Sequence, residues 1–173
     1  MTDVAAKWSL ATVEVAGAPV ACIETGGHCY RLEPSLAAAG LRDKATLMSL
    51  FDDWPTASAA LDAAATKLDA AHRVTPSRRL APLLYPGKIL CAGANYFDHL
   101  AEMGMPGAKK EEQRLFFFMK PPRNAVVGEG ATVHVPIATK AFDWEIELAA
   151  VIGKTARNVP VETALSHVAG YTV

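Results

Sequence analysis

The stretch Asp143-Trp144-Glu145-Ile146-Glu147-Leu148 constrains this chain more than any other. Acidic and apolar residues alternate with a period of two, which reads as a β-strand. Glu145 and Glu147 then share one face, and Trp144, Ile146 and Leu148 share the other, where a core is expected. The acidic face runs on as Ala149 and Val151, so it is not simply a wet face. Two carboxylates side by side on a partly apolar surface repel each other unless a proton or a cation lies between them. A hard divalent cation that takes oxygen ligands meets that need. An edge strand bearing two solvated glutamates satisfies the same pattern.

A second constellation lies upstream, between Lys88 and Gly104. A short apolar strand, residues 88–92, runs up to Gly93. Asn95 is placed to cap a short helix and Gly104 to end it. On that helix His99 and Glu102 are three residues apart and share a face. A carboxylate beside an imidazole fixes its tautomer and raises its basicity, which makes a general base able to activate water. The same spacing also arises as a plain surface pair.

Taken together and in order, the segments resemble the fumarylacetoacetate hydrolase family. The matching pieces are Gly93-Ala94-Asn95-Tyr96 with Asp98-His99 and Glu102, then Phe117-Phe118-Met119-Lys120-Pro121, then Asp143 to Gly153, and last Ala169-Gly170-Tyr171-Thr172-Val173. The resemblance covers roughly residues 88 to 173. It implies an α+β protein: a small N-terminal α+β domain over residues 1–80, then the first part of a mostly β, mixed β-roll catalytic domain over 81–173. It implies metal-dependent chemistry on 2-oxo acids and β-dicarbonyl compounds, with C–C bond hydrolysis as the leading reaction. Tautomerisation, hydration or decarboxylation through the same enolate stands as the alternative. By that resemblance Glu145 and Glu147 are metal ligands for Mg2+, Mn2+ or Ca2+. His99 and Glu102 match the water-activating pair, on a lid spanning about Tyr96 to Arg114. Lys120 is a candidate substrate contact, and the intact protein is expected to be a homodimer.

The family pattern continues past the Gly-Tyr-Thr-Val strand to a third metal aspartate and a substrate lysine. The chain is therefore expected to be C-terminally incomplete, and residues 1–173 alone are not expected to form an active enzyme. A non-catalytic fragment is the reading from a different class.

Composition bounds the rest. Hydrophobic residues make up 51% of the 173, enough for a core and too many for disorder. A net charge of -1 gives no electrostatic footprint for nucleic acid. No long uncharged apolar run suggests a membrane span, and Met1-Thr2-Asp3 opens without the basic region of a secretory signal. The sparse, odd set Cys22, Cys29 and Cys91 fits a reduced cytoplasm and reads as small buried hydrophobes. Strands are expected at 8–15, 19–24 and around 29–32, helices at 44–53 and from Pro55, and a linker from Arg73 to Pro86. Further strands are expected at 115–119, 132–135 and 143–152. A helix is expected from Pro160 to Val168, closed by Gly170.

Overall fold

The computed structural model describes residues 8–105, 107, 109, 112, 114, 116–123 and 125–173. They pack as two compact units, Met1–Leu84 with Val127–Val173, and Tyr85–Val126. The fold is α+β.

The first unit is built on an antiparallel sheet. β1 (Ser9–Val15) and β2 (Ala18–Thr25) form a hairpin closed by Ala16 and Gly17, both at positive φ. That conformation suits a two-residue turn whose twist matches the strands. The turn is thus shorter than the gap between the strands expected at 8–15 and 19–24: Ala18 and Pro19 already pair with Val15 and Glu14. Gly26 and Gly27, again at positive φ, turn β2 into β3 (His28–Arg31).

β3 leads directly into α1 (Leu32–Ala38). α2 (Leu47–Leu50) begins at a reciprocal cap, in which the Thr46 hydroxyl accepts from the Ser49 N–H and the Ser49 hydroxyl accepts from the Thr46 N–H. A 3₁₀ turn, Phe51–Asp53, separates α2 from α3 (Trp54–Ala65), where Asp53 caps and Pro55 lies in the first turn. The single helix expected over 44–53 is therefore a capped turn of helix followed by a tighter one.

The segment read as a linker contributes two short strands, β4 (Arg73–Val74) and β5 (Arg78–Arg79). They complete a sheet of order β4-β3-β2-β1-β5. Ala21 and Ile23 on one face meet Leu32, Leu36, Leu47, Leu50, Ala57 and Leu61 of the helices, and Ala11, Val13, Cys22 and Cys29 fill the other face. Each fully buried leucine among them contributes about 1.5–3 kcal/mol. Cys22 and Cys29 are free thiols in the core, as expected.

The same unit contains β8 (Ala149–Ile152) and β9 (Val168–Thr172), an antiparallel pair with a bulge at Val151/Ile152. Between them lie α5 (Val161–Ala164) and a 3₁₀ turn to His167, close to the helix expected there. Gly170 does not close that helix; it pairs with Val151 inside β9. In the second unit β6 (Ile89–Gly93) pairs antiparallel with β7 (Phe116–Lys120). α4 (Phe97–Glu102) lies between them in sequence. Leu115, at the start of the strand expected there, lies outside the described residues.

Two expected strands fail in whole or in part. Residues 132–135 and 143–148 join no strand ladder among the described residues. Trp144, Ile146 and Leu148 are 77%, 68% and 60% exposed rather than buried in a core. Alternation makes a segment competent to be a strand, but the ladder and the burial come from a neighbour. Only residues 149–152 of the expected 143–152 strand have one, in β9.

Candidate active site

His99 and Glu102 are brought together. Ala94, at φ 54°, turns the chain out of β6, and α4 starts after Tyr96, which stands at the cap position in place of the expected Asn95. The helix ends as expected at Gly104: the Gly104 N–H donates to the Ala101 carbonyl, and the Met105 N–H to that of Leu100. A positive φ of 80° permits this C-terminal hook. Leu100 anchors the helix, being 1% exposed. His99 Nδ1 lies 3.6 Å from Glu102 Oε2, the three-residue spacing of one helical face, with both side chains open to solvent. The carboxylate therefore stands beside one imidazole nitrogen, Nδ1.

Glu145 and Glu147 lie in the other unit, exposed and two residues apart. Asp143 is turned toward its own chain, its Oδ1 accepting from the Trp144 N–H at 2.8 Å. Among the described residues no three His, Cys, Asp or Glu side chains cluster as metal ligands. Two hard carboxylates nonetheless fit a magnesium-type cation, which keeps several waters and needs only one or two protein carboxylates.

Lys120 ends β7, exposed, paired in register with Ile89. Arg123, near it in sequence, has its guanidinium 5.1 Å from the centre of the Tyr85 ring. The lid expected from Tyr96 to Arg114 includes Pro106, Ala108, Lys110, Glu111 and Gln113, which lie outside the described residues. Within its described part, Lys109 Nζ meets Glu112 Oε1 at 2.8 Å. Sequence reading passed over Phe116, whose ring closes on Gly93. Its signal was an aromatic residue facing a glycine at the end of a strand pair.

The model of the fumarylacetoacetate hydrolase C-terminal domain matches residues 88–173. A solved fumarylacetoacetate hydrolase from psychrophilic Exiguobacterium antarcticum superposes with a TM-score of 0.61 at 26% identity, over 95% of this chain and 54% of that one.

The chain belongs to the fumarylacetoacetate hydrolase family.

Among curated relatives in the family, the mitochondrial oxaloacetate tautomerase fahd2 of Xenopus laevis is 42% identical over 94 residues. Its human counterpart FAHD2B is 39% identical over the same length. Those matches cover 54% of this chain but 28% of either relative. An uncharacterized protein of Pyrococcus abyssi is 39% identical over 88 residues.

Proposed function

We propose that this chain is part of an enzyme that moves a proton on a 2-oxo acid, interconverting the keto and enol forms of a β-dicarbonyl acid of the oxaloacetate kind. The observation that carries the reading is the His99–Glu102 pair, in a chain whose relatives are named oxaloacetate tautomerases. His99 takes a proton from the carbon between the two carbonyls at Nε2, while Glu102 holds the ring through Nδ1 and supports the positive charge that forms. The same Nε2 returns the proton to the enolate oxygen. Glu145 and Glu147 would hold a divalent cation, which when bound polarises the 2-oxo carboxylate of the substrate. Lys120 would take a second carboxylate as a point charge.

Hydrolysis of a C–C bond is the second reading, favoured by the resemblance to the solved hydrolase. There the His99–Glu102 pair would take its proton from water, the hydroxide would attack the carbonyl distal to the 2-oxo acid, and the C–C bond would break with its electron pair leaving as the enolate, which takes up the proton. Stopped-flow absorbance of enolic oxaloacetate decay with excess Mg2+, run beside an acylpyruvate cleavage assay, separates the two. Tautomerisation with no cleavage supports the first reading, and cleavage supports the second. Loss of neither activity on His99→Ala would reject both.

A further inference from the structure

The end of the β6–β7 ladder carries an unusual fit. Gly93 pairs with Phe116, the last pair before the chain leaves both strands. A Cβ placed on Gly93 would fall inside the tip of the Phe116 ring, against Cζ and Cε2. The tip of the ring therefore occupies the space that any larger residue at 93 would claim. Phe116 is 57% exposed, so the contact contributes little to a core. What it does fix is local. Gly93 precedes Ala94, whose φ of 54° is unfavourable for a residue with a Cβ and redirects the chain into α4. Phe116 is the residue at which the chain returns to the ladder. The ring thus fastens the two ends of the loop that carries His99 and Glu102.

We propose that Phe116 is a positioning residue for the His99–Glu102 pair, acting through its contact with Gly93. The proposal rests on the reading of that pair as the proton-transfer group. Without the ring, Gly93 loses the contact that fixes the strand end beside the strained Ala94. The start of α4 then gains freedom, and the imidazole loses its fixed approach. Gly93→Ala would produce the same state from the other side: its methyl displaces the exposed ring, and Gly93 does not occupy the left-handed region that alanine disfavours.

The test pairs amide hydrogen exchange with oxaloacetate turnover in Phe116→Ala, Gly93→Ala and the double variant. Phe117→Ala is the control, because Phe117 is on the same ladder and comparably exposed but points to the other face, opposite Ala92. Expected are faster exchange in residues 97–105 with the β6–β7 amides unchanged, and a fall in kcat of up to about a hundredfold with KM little altered. The double variant should be no worse than either single one, and Phe116→Tyr should restore both readouts. Equal effects from Phe117→Ala, loss of exchange protection across the whole ladder, or unchanged exchange in residues 97–105 would each overturn the proposal. Altered exchange with unaltered turnover would overturn the positioning role, whereas unaltered turnover in His99→Ala would overturn the reading on which it rests.

Discussion

Trp54 stands where a side chain on Gly153 would have to go. A Cβ there would lie 2.6 Å from Trp54 Cδ1 and 2.8 Å from the Ala169 Cβ. Trp54 is stacked on Phe51 with ring centres 5.3 Å apart, and the Gly153 N–H is committed to the His167 carbonyl at 2.8 Å. Neither partner yields easily. Gly153→Ala is expected to overpack this junction at a cost of about 1–3 kcal/mol. Urea unfolding measures it, and combining the change with Trp54→Ala should recover part of the loss. Strictly additive costs would show that the two residues do not compete for space.

Glu24 accepts a forked pair of hydrogen bonds from Arg79, at 2.9 and 2.6 Å, and a third from the Cys29 thiol at 3.1 Å. The Arg79 bonds above all hold its carboxyl below the ordinary 4.5. On acidification the unfolded carboxyl takes up its proton first. The stability from this pair is therefore complete above pH 4.5 and is lost as pH falls through the lower folded value. Glu24→Gln should flatten that acid limb and cost about 1 kcal/mol at neutral pH, as for a well-formed pair at the protein surface. Denaturation midpoints between pH 3 and 7, on the order of one per half unit, would show the change; an acid limb matching the parent would reject it.

Burial pushes the Cys22 thiol up to about 12 and that of Cys29 to about 11. Their thiolates are scarce at neutral pH, and Cys91 is the least buried of the three. Iodoacetamide is expected to modify Cys91 first in the folded protein, with Cys22 and Cys29 following only on unfolding; peptide mass mapping reads this directly. The linkage runs opposite to that of Glu24. Stability from the raised thiols is full below the ordinary 9.0 and declines as pH climbs toward the folded values.

Glu145→Gln and Glu147→Gln should each abolish metal-dependent turnover, as should excess chelator. Calorimetric titration with Mn2+ should show the loss of affinity directly. His99→Ala, by contrast, should lower kcat about 10²–10⁴-fold, the range for a lost general base, with metal affinity nearly unchanged. Equal damage to metal binding and turnover in His99→Ala would place His99 among the ligands instead.

Local signals were read correctly where they act locally. The first three strands are legible in the sequence, as are the start of α3 near Pro55 and, from helical spacing alone, the His99–Glu102 contact. α1 escaped because it follows β3 without a turn residue between them, so the chain changes period at Leu32 unannounced. β4 and β5 escaped because two residues carry no period; only the sheet beside them makes them strands. The acidic stretch failed for the converse reason. Its pattern is strong, yet a strand is a relationship between segments, and Trp144 and Ile146 remain exposed without one.

The five-stranded sheet is bounded on both sides by those two-residue arginine strands. A flat, bare edge would offer a row of backbone groups to any extended peptide, the first step toward fibrils. Here each border is a strand of only two residues that carries arginine. Arg78 and Arg79 are themselves held by Glu14 and Glu24, which keeps that charge at the border. The sheet is thereby resistant to being templated, and any self-assembly of this protein should start elsewhere in the chain.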